Sequence, residues 1–186
     1  MKDCQATHPM EIAGLERKLP LFEVAPGVRI AVLNVLGDTE LVETAARALA
    51  AKLSSLDYAV LVTAEAKSIP LVHALSVATG KPYVVLRKNY KPYMGDALSA
   101  ETLSITTGTP QTLYLDAKDR HIMDGAAIVL VDDVISSGST LQAMRAITDR
   151  AGAVVAAEAA ILTEGERENW HEIVSLGHLP VFGVDP

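Results

Sequence analysis

IVLVDDVISSGSTLQAM occupies residues 128–144, and its three parts decide how the chain folds. Ile128, Val129, Leu130 and Val131 form an apolar run, the pattern of a strand buried on both faces. Asp132 and Asp133 stand where that strand emerges, and Ser136, Ser137, Gly138, Ser139 and Thr140 lead into a helix predicted over residues 140–150, ending before Gly152. Small residues let the backbone turn tightly and present several N–H groups at a helix N-terminus, where the dipole also favours an anion. The serine and threonine hydroxyls add donors, so the loop reads as a phosphate cradle. Two adjacent carboxylates beside it suit sugar hydroxyls or a hydrated Mg²⁺, because each accepts two hydrogen bonds at once. A chance Asp-Asp ahead of an ordinary Ser/Gly loop is the plainer alternative. The strand–loop–helix order carries the functional reading over it. The chain has no GxxxxGK[ST] and no GxGxxG after a first strand, which removes the P-loop and dinucleotide fingerprints.

Outward from this segment, strand and helix patterns alternate. YAVLVTA (58–64) reads as a buried strand, Ser68 caps the next helix with Pro70 in its first turn, and Gly80 ends that helix after Thr79. PYVVLR (82–87) is a further strand. RIAVLNVLG (29–37) precedes them as an apolar strand stopped at Gly37-Asp38. Asp38 or Thr39 then caps a helix whose Leu41, Ala45, Leu49 and Leu53 recur at helical spacing. Residues 88–99 are polar and without period, with Pro92 and Gly95, the mark of a long loop or lid. LSITT (103–107) and QTLYL (111–115), joined by Gly108-Thr109-Pro110, read as a hairpin. AVVAAEAAIL (153–162) is another central strand, and LPVF (179–182) closes the tail. The order predicts an α/β fold, a mostly parallel twisted sheet with helices on both faces. Ligands bind such sheets at the carboxyl ends of the strands, here the loops after Thr63, Arg87 and Val131.

Composition bounds the rest. At roughly 150 residues per domain, 186 residues read as one domain, 1–186, with 88–115 as a mobile loop and hairpin. Apolar residues make up 49% and charged residues 21%, which excludes disorder as the main state. No apolar run reaches the roughly 18 residues of a membrane span, and MKDCQATHPMEIAG has no signal-peptide core, so the expected location is the cytoplasm, without membrane partners. The single cysteine, Cys4, allows no intrachain disulfide, and the five histidines lack metal-ligand spacing. A net charge of −7 argues against nucleic acid as a partner. An anionic ligand then needs local cations, and Lys67, Arg87, Lys88 and Lys91 stand at or next to strand ends.

VLVDDVISSGST resembles the phosphoribosyl-pyrophosphate (PRPP) signature of the type I phosphoribosyltransferases, and the chain is most similar to the adenine (purine) group of that family. The resemblance runs over nearly the whole length. PGVRIAVLNVLGD (26–38) stands in the family's N-terminal strand region, VTAEAKSIP (62–70) at its pyrophosphate loop, and RKNYKP (87–92) at the start of its mobile loop. It implies the family fold with a small hood, and a purine phosphoribosyltransferase of the pentosyltransferase class acting in purine salvage. Such an enzyme moves the 5-phosphoribosyl group from PRPP to a purine base and releases pyrophosphate, with Mg²⁺ as cofactor and a homodimer as the expected assembly. The roles implied are Asp132 and Asp133 in catalysis and Glu65, Ala66, Lys67 and Ser68 on pyrophosphate. Arg87, Lys88 and Lys91 join them on the phosphates, and Ser136, Ser137, Gly138, Ser139 and Thr140 take the 5′-phosphate. Val134 and Phe22 are the candidates at the base. No full protein cage for the metal is implied; Mg²⁺ would be held through PRPP, with Asp132 or Asp133 in reach. Adenine is the favoured base. Ser136, Ala31 and Thr106-Thr107 depart from patterns that mark the subgroups, so a 6-oxopurine (hypoxanthine, guanine or xanthine) stays open. TAEAKSIP also resembles the matching loop of a non-catalytic, PRPP-sensing repressor. Such repressors carry a winged-helix domain, for which the segment before Pro26 is expected to be too short.

Overall fold

The computed structural model describes residues 6–103 and 110–183. In chain order the elements are β1 (Thr7–Ile12), β2 (Leu15–Ala25), β3 (Val28–Ala31), α1 (Thr39–Leu53), β4 (Val60–Ala64), α2 (Ile69–Thr79) and β5 (Tyr83–Leu86). There follow β6 (Leu98–Leu103), β7 (Pro110–Leu115), α3 (Arg120–Met123), β8 (Ala127–Ile135), α4 (Ser139–Arg150), β9 (Val154–Glu164), β10 (Val174–Leu179) and β11 (Phe182–Gly183).

The centre is a five-stranded sheet in the order β10-β9-β8-β4-β5, every pair parallel. Its inner strands are apolar because helices cover both faces: all five residues of β4 are buried. Leu41, Leu49 and Leu53 of α1 and Leu71 and Leu75 of α2 pack on one face. On the other, Leu141, Met144 and Ile147 of α4 share a core with Leu113 and Leu115 of the β6–β7 hairpin. The expected α/β class therefore holds. From β4 the chain moves outward to β5, then returns to place β8 on the opposite side of β4. The loops leaving β4 and β8 thus diverge and open a crevice between them, the switch point where open α/β sheets bind ligands.

A second sheet, β1-β2-β3-β11, is antiparallel. The sequence pattern does not predict β1 and β2. Their turn is Ala13-Gly14, both at positive φ, and Ala-Gly is a weak hairpin signal beside Asn-Gly or Asp-Gly. The expected strand over residues 29–37 is shorter than predicted and lies in this second sheet. β3 stops at Ala31, and Asn34 Oδ1 accepts from the Leu36 amide, a local turn that breaks the extended run. Asp38 is the α1 cap, accepting from the Leu41 amide at 3.0 Å. The hairpin is present but begins at Leu98 rather than Leu103, and the run 88–99 holds a 3-10 turn, Pro92–Met94, with Met94 buried. Residues 104–109 of that expected hairpin, with Thr106-Thr107, lie outside the described residues, as does Cys4. β10 is likewise not predicted by the sequence pattern. Its Gly177 leaves room for β1: a Cβ there would stand 2.5 Å from Met10 Cε. Among the described residues no helix is long and apolar enough to cross a membrane.

Candidate active site

β8 runs on past Val131 through Ile135, so Asp132 and Asp133 sit in the strand rather than in the loop after it. Successive strand residues ordinarily face opposite sides, yet here both carboxylates come within reach of one hydroxyl. Asp133 is buried and Asp132 partly exposed. Ser68 bridges them. Its hydroxyl donates to Asp132 Oδ1 at 2.6 Å and stands 3.3 Å from Asp133 Oδ1, while the Asp133 amide donates to Ser68 Oγ at 3.0 Å. The Asp133 amide also lies 2.9 Å from Asp132 Oδ1. Asp132 Oδ2 has no donor among the described residues and is free to accept from a ligand. Loss of water around the Asp132 carboxyl, with the charge of Asp133 beside it, pushes its pKa up to about 7 against the opposing Ser68 bond.

The sequence predicts Ser68 as the cap of α2, and the resemblance implies a place for it on pyrophosphate. It precedes the helix, but its side chain makes no cap bond because the carboxylates hold it. What it leaves for an anion is its amide. Among the described residues the amides of Ala66, Lys67 and Ser68 find no acceptor, and the Glu65–Ala66 peptide is cis. Lys67 Nζ reaches back over the pair, 4.0 Å from Asp133 Oδ2 and 3.5 Å from the Leu33 carbonyl. Glu65 is itself an anion, and its carboxylate is taken: Arg87 Nε donates to Oε2 at 2.5 Å and the Lys88 amide to Oε1 at 2.6 Å. Arg87 also donates to Tyr93 Oη at 3.3 Å, and its backbone bridges to Tyr114 of β7. That bridge ties the hairpin to the edge of the central sheet.

Two cavities meet over these groups. One, about 370 Å³, is lined by residues 64–68, Lys88, Asp132, Asp133, Val134 and Thr140. The other, about 100 Å³, is lined by Asp132, Val134, Ile135 and residues 136–141. Asp132, Val134 and Thr140 border both, so the pair forms one crevice between the β4 and β8 loops. Gly138 takes a left-handed φ of 73° as the α4 N-cap, and Ser137 Oγ lies 3.1 Å from Ser139 Oγ. The α4 N-terminus then aims its first amides at the smaller cavity. Lys91 lines neither cavity and heads the 3-10 turn instead. Phe22 lines neither and is exposed on β2, opposite Ile30. A larger cavity, about 600 Å³, lies elsewhere, at the C-terminus of α4 by Arg120, Asp124 and Arg150; the helix dipole there disfavours anions.

A model of the phosphoribosyl transferase domain family matches residues 34–176. The chain belongs to the phosphoribosyl transferase family. Among its relatives, a hypoxanthine/guanine phosphoribosyltransferase of Methanococcus vannielii is 38% identical over 109 residues, 59% of this chain and 55% of that protein. One from Methanocaldococcus jannaschii is 37% identical over 106 residues, 57% of this chain and 54% of that protein. The chain thus spans little more than half the length of these phosphoribosyltransferases. Among solved structures, the adenine phosphoribosyltransferase of Thermoanaerobacter pseudethanolicus superposes with a TM-score of 0.65 at 19% identity, covering 93% of this chain and 95% of that one. The Giardia lamblia enzyme with bound 9-deazaadenine gives 0.64 at 16% identity, over 92% and 93%. At such identities the likeness is one of fold, and it supports the phosphoribosyltransferase architecture of sheet, helices and flanking second sheet.

Two residues behind Gly138, Trp170 and the Glu164 that accepts its indole N–H, carry no motif in the sequence. Trp170 packs on Gly138, and Glu164, at the end of β9, is a buried carboxyl whose pKa burial raises. Both come from the segment after the strand 153–162, where the sequence offers no spacing to read.

Proposed function

We propose that the chain is a purine phosphoribosyltransferase, transferring the 5-phosphoribosyl group of PRPP to a ring nitrogen of a purine base with release of pyrophosphate. The observation that carries this is the crevice itself: an acidic pair between a helix N-terminus made of small hydroxylic residues and a second loop with free amides and a lysine. The loop 136–140 takes the 5′-phosphate, far from the reacting carbon, and supplies binding energy for orientation. Asp132 Oδ2 accepts from the ribose hydroxyls. The buried charge of Asp133 favours the cationic, oxocarbenium-like transition state. Lys67 and the amides of residues 66–68 receive the pyrophosphate, and Glu65 holds Arg87 and the start of the 88–97 segment in register beside it. No protein nucleophile is used. Val134, between the two cavities, borders the base.

The donor set fits Mg²⁺ in one manner. Among the described residues no three His, Cys, Asp or Glu side chains converge as a cage. An ion that keeps its waters and takes substrate oxygens, with Asp132 or Asp133 beside it, suits such a site. When bound, Mg²⁺ neutralises the leaving pyrophosphate.

For the base we favour a 6-oxopurine, hypoxanthine or guanine, because the Methanococcus vannielii and Methanocaldococcus jannaschii proteins of that name share more than a third of their aligned residues with this chain. Adenine, favoured by the motif resemblance, is the second reading. A catalytically silent PRPP sensor is the reading from another class. Incubation with PRPP, Mg²⁺ and each of adenine, hypoxanthine, guanine and xanthine tests all three. Pyrophosphate release with hypoxanthine or guanine is the expected result, release with adenine alone moves the base, and tight PRPP binding with no release from any base favours the sensor. The homodimer belongs to the same reading, and sedimentation of the purified chain checks it.

A further inference from the structure

Trp170 is the chain's single tryptophan, and it lines neither half of the crevice. It closes the 3-10 turn Arg167–Trp170 that follows β9. Its indole N–H donates to the Glu164 carbonyl at 2.8 Å, which sets the ring's orientation against the sheet. The ring lies on Gly138: a Cβ at that position would stand 3.1 Å from Trp170 Cη2 and 3.5 Å from Cζ3. Two constraints therefore act at one residue. Gly138 has a backbone conformation that other residues rarely adopt, and the Cη2–Cζ3 edge of an aromatic ring crowds the place where a side chain would go. A rigid ring with two torsions loses little entropy when held this way. A loop backed by such a ring offers its amides without having to reorganise when an anion arrives.

We infer that Trp170 is a positioning residue for the phosphate cradle: by bracing Gly138 from behind, it fixes how the chain enters α4 and so sets the Ser137–Thr140 donors for a phosphate monoester. It acts through Gly138 rather than on the ligand. The inference rests on the reading of residues 136–140 as the 5′-phosphate site and adds the element that shapes it.

The test is calorimetric titration of the intact chain, Trp170→Leu and Trp170→Phe with ribose 5-phosphate and, separately, with pyrophosphate. Leucine removes the ring and its edge contact with Gly138. Phenylalanine keeps a ring but loses the tether to Glu164. Ribose 5-phosphate binding weakens about tenfold in Trp170→Leu and about threefold in Trp170→Phe, while pyrophosphate binding on the other loop is unchanged. In the natural chain, indole emission shifts with ribose 5-phosphate and not with pyrophosphate. If Trp170→Leu does not fold, Trp170→Phe carries the comparison. Unaltered ribose 5-phosphate affinity in the folded variants overturns the inference and leaves the phosphate site standing. Equal weakening of both ligands overturns it too, since a general loosening has that signature. No binding of ribose 5-phosphate by the natural chain overturns the phosphate-site reading itself.

Discussion

Asp132 and Asp133 are adjacent in the chain and both line the crevice, yet Asp133 is buried and Asp132 partly exposed. Replacing Asp133 by Asn keeps the shape and removes the buried charge. Turnover in the pyrophosphate-release assay falls by about 100-fold or more, with the melting temperature little changed. Lys67→Ala leaves the aspartates in place but removes the cation that the proposed function sets on pyrophosphate. KM for PRPP rises about tenfold and KM for the purine stays the same. Glu164 offers a pH prediction. Burial raises its pKa, so the folded chain holds that proton to higher pH than the unfolded chain does. The group's contribution is full below the ordinary carboxylate range and is lost as pH rises through the raised value. Glu164→Gln therefore adds unfolding free energy at about pH 8 and almost none at about pH 4, as denaturant titrations at the two values would read. The acidic pair, the serines and Lys67 were legible in the sequence because their types and spacing are local. That Ser68 serves the aspartates rather than the helix, and that Arg87 serves Glu65, was not, since each partner is remote in the chain.

At the scale of elements, α1 shows how one residue joins two layers. Asp38 caps the helix through the Leu41 amide and receives Arg17 Nε of β2 at 2.8 Å, which holds its carboxyl below the usual range. Asp38→Ala loses the cap and this link, and chemical denaturation will register a loss of about 1–2 kcal/mol; the partly exposed ion pair adds little to it. Helices and buried parallel strands followed from periodicity, caps and apolar runs. β1, β2 and β10 did not. The first two hang on an Ala-Gly turn, and β10 carries Gly177, whose reason is the approach of Met10 from another sheet. The hairpin register likewise depends on Ala100 meeting a core already built by Leu113 and Leu115.

Over the whole molecule, both cores share the central sheet, so α4 and the hairpin cannot leave without exposing strands that α1 and α2 cover on the other face. Far-UV circular dichroism and Trp170 emission should accordingly report one coincident unfolding transition; separated midpoints would mean that the α4 side melts alone. The net charge of −7 repels a polyphosphate at distance, and under the proposed function the gathering of Lys67, Lys88 and the free amides at the crevice offsets this locally. From its residues alone this chain specified the α/β class, the strand–loop–helix cradle and the acidic pair, because each is written in consecutive positions whose backbone preferences are local. Tertiary structure alone decided which strands neighbour one another, hence where the switch point opens and which remote groups, Glu65 with Arg87, Ser68 with the aspartates and Trp170 with Gly138, come into contact. Those pairings depend on strand order and packing across tens of residues, and no local propensity encodes them.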